Sequence, residues 1–451
     1  MFHAVEIPLW LLLVILLFAA VTFASHFLFP SVRWFFRRRM EKAVAKLNER
    51  LERPIEPFKL ARRHDMIQRL IYDGEVWQAI SDHAKKEGVP ENVAFERARR
   101  YAREIVPSFS ATMYYGFAIR LSRFLSRRLY RVRLGHHARE TLAAVDRDAT
   151  VVFVMNHRSN MDYVLVTYLA AEQSALSYAV GEWARVWPLS RLIRAMGAYF
   201  IRRKSRGDLY RRVLARYVAL ATEGGVTQAV FPEGGLSLDG ALAKPKLGIL
   251  SYIVNGYDAE TRDVVFVPVA INYDRVFEDK ILVAAGERGD RRFRARISVV
   301  VKYIFRIIWR WLLRKYHRFG YAAVSFGEPL SLRGFSDGGE IVVEDLAADL
   351  MRRIGDVVPV LPVPLAASVF VRAEGPMTRE QYAEAFQALV EAMPDAHIHA
   401  PREDMGYAVE YGLRNLEGRG FVAEQNGFYV ITEGGAPLVR YYANSIAHLL
   451  R

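Results

Sequence analysis

The sequence contains no cysteine in its 451 residues. This absence excludes a disulfide framework, a zinc site built on thiolates and a cysteine nucleophile. A G-x-x-x-x-G-K-[ST] phosphate loop and an H-E-x-x-H zinc helix are also missing, and the stretch GLSLDG, residues 235 to 240, lacks the second glycine of a serine-hydrolase elbow. These three motif-based chemistries are therefore not indicated.

Acidic residues are fewer than basic ones, with 49 Asp and Glu against 63 Lys and Arg, so the formal net charge is +14. This excess predicts anionic partners: phospholipid headgroups, phosphorylated metabolites, nucleic acid or an acidic protein. Charge alone does not choose among them. Hydrophobic residues make up 52% of the chain, enough for a sizeable core in two or three domains or in one large domain with appendages.

Residues 7 to 29 contain no Lys, Arg, Asp or Glu and match the roughly 20 apolar residues that a spanning helix needs. We predict a single transmembrane anchor over residues 1 to 32. A signal peptide is less favoured, because no basic region precedes the run and no small-residue cleavage pattern follows it. Four arginines follow between residues 33 and 39, and by the positive-inside rule they leave the rest of the chain in the cytoplasm, at the inner membrane.

Three further parts are predicted after the anchor. Residues 33 to 129 have helical spacing broken by prolines, which indicates a helical region. Strand and helix patterns alternate from 130 to 370, which indicates an α/β domain. Its predicted strands lie at residues 130–136, 150–155, 198–202, 227–231, 264–272 and 321–327.

Residues 371 to 451 are predicted to form a small α+β tail, with helices and a hairpin at Asn426-Gly427. Helices followed by a hairpin are typical of a winged helix, which is the best argument for nucleic-acid binding. The tail itself mixes acidic and basic residues, so we do not favour nucleic acid as a partner.

Residues 297 to 319 carry a cation at every fourth position from Lys302 to Arg314, among Ile, Phe, Trp and Leu. That spacing puts the cations on one stripe of a helix, which favours a helix lying in a membrane interface. The alternative is a core helix with a solvated basic edge.

The stretch FVMNHRSNMDYVLV, residues 153 to 166, places His157 and Asp162 where a buried strand meets a helix. On a continuous helix residues five apart cannot touch, so His157 must lie in the turn before the helix, from which Asp162 in the first helical turn can reach a ring nitrogen. Such an aspartate makes the histidine a candidate general base. His399 and Asp404 have the same spacing, but they follow no buried strand and are predicted to lie in a loop.

Glu233-Gly234-Gly235 follows a predicted strand, and glycines there let backbone N–H groups approach an anion; a plain turn is the equal alternative. Four basic residues accompany these groups, namely Arg202, Arg203, Lys244 and Lys246. The set suits deprotonation of a hydroxyl on a phosphorylated acceptor. A thioester donor is already activated, so direct attack needs no acyl-enzyme.

The segments NHRSNMDY, GAYFIRR, FPEGGLSLDG with KPKLG, and VPVAINYDRV resemble, in order and spacing, the four motif blocks of the glycerolipid acyltransferases. The likeness is to the bacterial glycerol-3-phosphate acyltransferase family and its dihydroxyacetone-phosphate relatives, and it covers roughly residues 100 to 335. It implies an acyltransferase core with a mixed sheet flanked by helices. It also implies transfer of a fatty acyl group from acyl-CoA or acidic acyl carrier protein to the 1-hydroxyl of glycerol 3-phosphate. The product is lysophosphatidate, in the first step of phospholipid synthesis.

The resemblance also implies roles for single residues, with no metal and no cofactor besides the acyl donor. His157 would be the base and Asp162 its partner. The residues that would bind or shape the site of the acceptor are Arg158, Arg202, Arg203, Glu233, Gly234, Gly235, Ser237, Lys244, Lys246 and Pro268.

One departure from the family pattern concerns the third block, where Leu236 and Leu238 stand in place of two arginines. This leaves open a lysophosphatidate acyltransferase or an acyltransferase for another lipid alcohol. A lipid-binding pseudoenzyme is less favoured, because His157 and Asp162 are both present.

Overall fold

The structure is a computed structural model that describes residues 8–170, 175–181, 189–202, 207–289 and 319–450. The chain forms two compact units, Met1–Pro54 and Ile55–Arg451. The helix predicted at residues 297 to 319 lies outside the described residues except for Phe319. The predicted boundaries after residues 32, 129 and 370 remain predictions.

The first unit contains helix α1, Leu9–Asn48, whose apolar side chains from Leu12 to Phe18 are exposed. Across the part of the chain that the structure describes, no helix combines the length and the apolar composition needed to cross a membrane. The transmembrane anchor predicted over residues 1 to 32 is therefore not supported. Many side chains of that segment lie outside the described residues.

Within the described residues, the second unit is built on an eight-stranded mixed sheet. Its strands are β1 Arg131–His137, β2 Thr150–Met155, β3 Ser177–Gly181, β4 Tyr199–Ile201, β5 Gln228–Val230, β6 Val264–Tyr273, β7 Tyr321–Phe326 and β8 Leu330–Ser331. Their order is β1-β7-β6-β2-β5-β3-β4, with β8 paired to β6. Strands β6, β2, β5, β3 and β4 are parallel, whereas β7 and β8 pair antiparallel with β6. The predicted mixed sheet is confirmed and all six predicted strands are present, but β3 and β8 were missed.

Helices pack on this sheet and on one another. The described α-helices after α1 are α2 Pro57–Leu60, α3 Arg63–Ile71, α4 Gly74–Glu87, α5 Glu91–Ile105, α6 Ile119–Leu129, α7 Arg139–Ala144, α8 Met161–Leu169, α9 Leu189–Ala195, α10 Asp208–Glu223, α11 Gly248–Asn255, α12 Asp279–Glu287, α13 Leu332–Ser336, α14 Val343–Asp356, α15 Pro362–Arg372, α16 Arg379–Glu391, α17 Met405–Gly418 and α18 Ala436–Asn444. A π-helical segment, Thr112–Ala118, leads into α6.

Strand β2 lies in the middle of the sheet between β6 and β5, and all six of its residues are buried. Its sequence TVVFVM is a continuous apolar run, which is typical of a parallel strand covered on both faces. Because β2, β5 and β6 are parallel, the segments that follow their carboxyl ends meet at one edge of the sheet, where open α/β sheets bind their ligands. His157 follows β2 at this edge and Glu233 follows β5.

The tail contains the hairpin predicted from Asn426-Gly427, and that prediction is confirmed. Strands β9, Val422–Gln425, and β10, Phe428–Ile431, pair antiparallel. Asn426 and Gly427 have φ angles of 52° and 82°, the positive values that a two-residue type I′ turn requires. Helix α15 is buried along nine of its residues and contacts both α17 and α18. The winged-helix-like assignment remains a prediction.

Candidate active site

The His157 imidazole and the Asp162 carboxylate form a buried hydrogen bond at the carboxyl end of β2. Nδ1 of His157 lies 2.9 Å from Oδ2 of Asp162, and the two residues are 2% and 0% exposed. His157 lies in the irregular loop after β2, whereas Asp162 is the second residue of α8. The loop therefore lets a pair five residues apart meet, which a continuous helix would forbid.

Asp162 accepts three further hydrogen bonds. Its Oδ2 atom accepts from the backbone N–H groups of Arg158 at 2.7 Å and Ser159 at 3.0 Å, and Oδ1 accepts from the Tyr273 hydroxyl at 2.6 Å. An oxygen that already accepts two N–H groups is an acceptor toward His157 as well. Nδ1 therefore carries the imidazole proton and donates it to Asp162, which leaves Nε2 as the proton acceptor.

Two aromatic rings enclose the His157 imidazole. Phe231, directly after β5, stacks on it with ring centroids 4.0 Å apart and planes 27° from parallel. Tyr163 of α8 meets it edge-on at 5.5 Å. This packing fixes the imidazole in one orientation beside Asp162.

Glu233 and Ser237 hold the backbone of His157 from either side. The His157 N–H donates to Oε1 of Glu233 at 3.0 Å, and the Ser237 N–H donates to the His157 carbonyl at 2.9 Å. The other Glu233 oxygen accepts from the Ala243 N–H at 3.4 Å. Burial raises the pKa of Glu233 to about 7, against the opposing charge of Arg158. The third block thus supports the His157 loop of the first block.

Glu278 accepts hydrogen bonds from the other side of the loop that follows β2. One of its carboxylate oxygens accepts from the Ser159 hydroxyl at 2.7 Å, and the other accepts from the backbone and side-chain N–H groups of Asn160 at 3.2 and 3.0 Å. Burial raises the pKa of Glu278. The sequence patterns predict no role for Glu278 or Tyr273, although Tyr273 falls inside the fourth block.

Arg158 is one of the largest fully buried side chains, at 2% exposure. Its Nη2 atom donates to the carbonyl of Ser445 at 3.1 Å. Its Nε and Nη1 atoms have no hydrogen-bond partner within the described residues. A buried guanidinium with two unused donors is suited to an anionic ligand, because a charge-assisted bond would satisfy them.

Arg202 lies at the end of β4, where its guanidinium pairs with Glu104 of α5. Nε and Nη2 donate to the two carboxylate oxygens at 2.8 and 2.6 Å, and the guanidinium lies over the rings of Tyr101 and Tyr210. This bidentate pair raises the pKa of Arg202. The side chain predicted to hold acceptor phosphate is therefore occupied by a carboxylate. Arg203 lies outside the described residues.

In the glycine turn after β5, the N–H of Gly234 forms a hydrogen bond within the turn itself. Gly234 has a φ of 67°, and its N–H donates to the carbonyl of Phe231 at 3.0 Å, so this group is not directed at a ligand. A Cβ at Gly234 would lie 2.6 Å from Cδ of Lys246, so the lysine side chain covers the turn. Lys244 and Lys246 are both exposed. Gly235 lies in the same turn and is half-buried.

Ser237, Pro268 and the two leucines of the third block make contacts within the protein itself. The Ser237 hydroxyl donates to the carbonyl of Ala241 at 2.8 Å and accepts from the Gly240 N–H at 3.0 Å, which closes the loop of the third block. Pro268 lies within β6 and pairs with Val154 of β2. Val154 precedes Asn156 by two residues. Leu236 and Leu238 pack against the core.

The second histidine–aspartate pair with the same spacing does not form a dyad. The Asp404 carboxylate caps α17 by accepting from the Tyr407 N–H at 3.1 Å. The His399 ring packs edge-on against Tyr321, 4.7 Å between centroids. No group of three or more His, Asp or Glu side chains that could hold a metal ion occurs among the residues described here.

Two family models match the chain. The acyltransferase model matches residues 134–272, and the model of the glycerol-3-phosphate acyltransferase C-terminal region matches residues 304–451. Among solved structures, a 1-acyl-sn-glycerophosphate acyltransferase from Thermotoga maritima is 20% identical, with a TM-score of 0.33 over 57% of this chain and 80% of that chain.

Curated relatives named glycerol-3-phosphate acyltransferase match along most of the chain. The protein of Pseudomonas entomophila (strain L48) is 27% identical over 445 residues, which are 91% of this chain and 52% of the relative. That of Pseudomonas putida (strain GB-1) is 27% identical over 423 residues, 86% of this chain and 49% of the relative. The chain thus spans about half the length of the curated relatives it matches. The two family models and these matches show that the chain is similar to glycerol-3-phosphate acyltransferases along most of its length.

Proposed function

We propose that this chain transfers a fatty acyl group from an acyl thioester to the 1-hydroxyl of glycerol 3-phosphate, giving lysophosphatidate. The observation that carries the proposal is the 2.9 Å contact between Nδ1 of His157 and Oδ2 of Asp162, inside the first motif block. The names of the curated relatives support the acceptor. The donor, acyl-CoA or acyl carrier protein, rests on the resemblance in the motif blocks.

The dyad suits general-base catalysis of this transfer. Nε2 of His157 takes the proton of the acceptor hydroxyl as its oxygen attacks the thioester carbonyl carbon. The C–S bond then breaks, the new ester forms, and the thiolate leaves and takes up the proton from the imidazolium. The thioester is already activated, so the step needs no acyl-enzyme, metal or prosthetic group.

Cations near the dyad are the candidates to hold the acceptor phosphate. Arg158 is next to His157 and has two buried donors that no described residue uses. Lys244 and Lys246 follow the third block, and the Lys246 side chain covers Gly234. Arg202 is engaged by Glu104, so we assign it to support of the second block rather than to phosphate.

We further propose that the protein works at the cytoplasmic face of the inner membrane. Helix α6 exposes Arg120, Arg123 and Arg127 beside Phe124, and with Arg128 these side chains line a shallow cavity of about 350 Å³. Cations interleaved with an exposed aromatic ring suit the interface of an anionic bilayer, where each Lys or Arg contributes about 1 kcal/mol. The Arg127 Nε atom also donates to Tyr168 of α8 at 3.0 Å, so this face lies beside the helix that carries Asp162.

Sedimentation with vesicles tests this attachment. The Arg120→Ser/Arg123→Ser variant is expected to bind phosphatidylglycerol-containing vesicles more weakly than the parent chain. High salt should release both proteins from the vesicles. Equal binding of the variant and the parent would remove α6 from the attachment.

A second acceptor follows from Leu236 and Leu238. These apolar side chains pack against the core where two cations are expected in this family, which reduces the positive charge of the third block. Lysophosphatidate carries an acyl chain beside its phosphate, so it is the alternative acceptor.

The test of the proposed function is acyl transfer by the purified chain. Radiolabelled acyl-CoA and acyl carrier protein are offered separately with glycerol 3-phosphate or lysophosphatidate, and the lipid product is identified. Labelled lysophosphatidate from glycerol 3-phosphate supports the assignment. Labelled phosphatidate formed only from lysophosphatidate would support the alternative.

A further inference from the structure

We propose that helix α18 and the turn after it, residues 436 to 446, hold the catalytic loop in place and are a positioning part of the active site. This segment belongs to the region matched by the C-terminal family model, 304–451, and lies far from the four blocks in sequence. The inference rests on the proposed role of His157 as the base. Three separate contacts from the segment reach the three stretches of chain that surround His157.

The first contact is with the residue next to the base. The Ser445 carbonyl accepts from Nη2 of Arg158 at 3.1 Å, and the Ser445 hydroxyl lies 3.4 Å from Nδ2 of Asn272. Arg158 Nη2 has this carbonyl as its partner, and Arg158 is fully buried. The C-terminal turn therefore fixes the direction in which the two unused donors of Arg158 point.

The second contact is with the loop of the third block. The Asn444 side chain donates to the carbonyl of Asp239 at 2.9 Å. Gly240 lies so close to α18 that a Cβ would be 1.8 Å from the carbonyl oxygen of Tyr441, and its φ is 86°. This loop also carries Ser237, whose N–H holds the His157 carbonyl. Asn444 and Tyr441 thus support the backbone of the base through that loop.

The third contact is with the segment that carries Glu278. The Tyr442 hydroxyl donates to Oδ2 of Asp279 at 2.5 Å and accepts from the Val276 N–H at 3.0 Å. Arg419 contacts both groups, donating to the Tyr442 hydroxyl at 3.0 Å and pairing with Asp279. Glu278 lies between these anchor points, and it holds Ser159 and Asn160 on the other side of the dyad.

These contacts converge on one loop, so a shift of α18 would loosen its supports together. The Tyr442 side chain is 1% exposed, and Ser445 is 3% exposed, so each lost contact leaves a buried polar group without its partner. A displacement of about 1 Å in a catalytic group can cost about a hundredfold in rate. The C-terminal region therefore acts on catalysis through the position of His157.

The test compares two buried tyrosines of the tail in the full-length chain. Tyr442→Phe removes the hydroxyl that links α18 to Asp279 and Val276. Tyr382→Phe is the matched control, because Tyr382 is 0% exposed and its hydroxyl donates to the Val409 carbonyl at 3.1 Å, away from these three contacts. For each variant we would measure the melting temperature, kcat, both KM values, and amide hydrogen exchange of residues 157 to 160.

We expect Tyr442→Phe to lower kcat about tenfold and to speed exchange at the amides of His157, Arg158 and Ser159. Tyr382→Phe should lower the melting temperature similarly with kcat and exchange unchanged. Two half-buried asparagines allow the same comparison with less risk to folding. Asn444→Ala removes the contact with Asp239, and Asn415→Ala is the control, because the Asn415 side chain donates to the Tyr411 carbonyl.

Equal exchange in Tyr442→Phe and Tyr382→Phe would overturn the positioning role, whatever the chain acylates. The exchange measurement needs no turnover, so it stands even if the parent chain fails to acylate glycerol 3-phosphate. That failure would contradict the proposed function alone. Faster exchange with unchanged kcat would also overturn the inference, because the loop would have moved without effect on catalysis.

Discussion

The Tyr273 hydroxyl donates a 2.6 Å hydrogen bond to Oδ1 of Asp162, the oxygen opposite the one that faces His157. Tyr273 is the last residue of β6, whereas Asp162 belongs to the helix after β2, so neighbouring parallel strands bring the two together. With this contact both oxygens of a carboxylate that is 0% exposed are satisfied. The orientation of Asp162, and with it that of the His157 imidazole, thus depends on the fourth block as well as on the first.

Removal of the Tyr273 hydroxyl should impair turnover without unfolding the protein. Hydrogen bonds to charged groups contribute about 1.5–3 kcal/mol, so we expect Tyr273→Phe to lower kcat by roughly tenfold or more, with both KM values little changed. Tyr130→Phe is the control, because the ring of Tyr130 lies 5.2 Å from that of Tyr273 and its hydroxyl donates to the Arg275 carbonyl instead. Equal kcat values for the two variants would mean that the contact with Asp162 has no catalytic effect.

The pairing of Arg202 with Glu104 predicts a loss of stability when Arg202 is replaced. Breaking a wholly buried pair costs about 3–5 kcal/mol; the Arg202 side chain is 29% exposed, so we expect Arg202→Ala to lower the free energy of unfolding by roughly 1–3 kcal/mol. Glu104→Gln/Arg202→Ala should regain part of this loss, because the buried carboxylate is then neutral. Urea unfolding measures both variants. A stable Arg202→Ala variant with a raised KM for glycerol 3-phosphate would instead return Arg202 to the acceptor site.

The raised pKa of Glu233 makes stability depend on pH. Burial raises this pKa to about 7, above the usual 4.5, so the folded protein holds the proton over a range in which the unfolded chain releases it. The stabilising effect of that proton is present at low pH and is lost as the pH rises toward 7. Asp274, also with a pKa raised to about 7 by burial, acts in the same direction.

We therefore expect Glu233→Gln to flatten the dependence of the unfolding free energy on pH between about 5 and 7, but not to remove it. Urea titrations at several pH values would measure the slope. Glu391→Gln, at an exposed position at the end of α16, should keep the parent slope. If the unfolding free energy of Glu233→Gln depends on pH as steeply as that of the parent chain, Glu233 does not titrate in this range.

Local sequence patterns predicted most of the sheet. Continuous apolar runs marked β2 and β6, and Asn426-Gly427 marked the hairpin because only a few residues adopt positive φ at both turn positions. Strand β3, SYAVG, was missed because it is short and contains small and polar residues, and its pairing with β4 and β5 supplies what its own pattern lacks. The sequence also predicted a spanning anchor that the described residues do not support.

Within the candidate site, the sequence could predict only contacts between residues that lie close together in the chain. His157 and Asp162 are five residues apart, so strand, turn and helix patterns placed them together. The residues that hold the loop between His157 and Asp162 come from distant parts of the chain: Glu278 is 119 residues from Ser159, and Ser445 is 287 residues from Arg158. Contacts at such separations leave no periodic signal. For the same reason the sequence could not reveal that Glu104 occupies Arg202, 98 residues away.

The most direct measurement of the central claim is acyl transfer by His157→Ala beside His399→Ala. Both variants remove a histidine that precedes an aspartate by five residues, but only His157 meets its aspartate. Positioned general-base catalysis is worth about a hundred- to ten-thousandfold, so we predict a loss of that size in kcat for His157→Ala and near-parent turnover for His399→Ala. Asp162→Asn should be nearly as damaging as His157→Ala. Near-parent turnover in a folded His157→Ala variant would contradict the account.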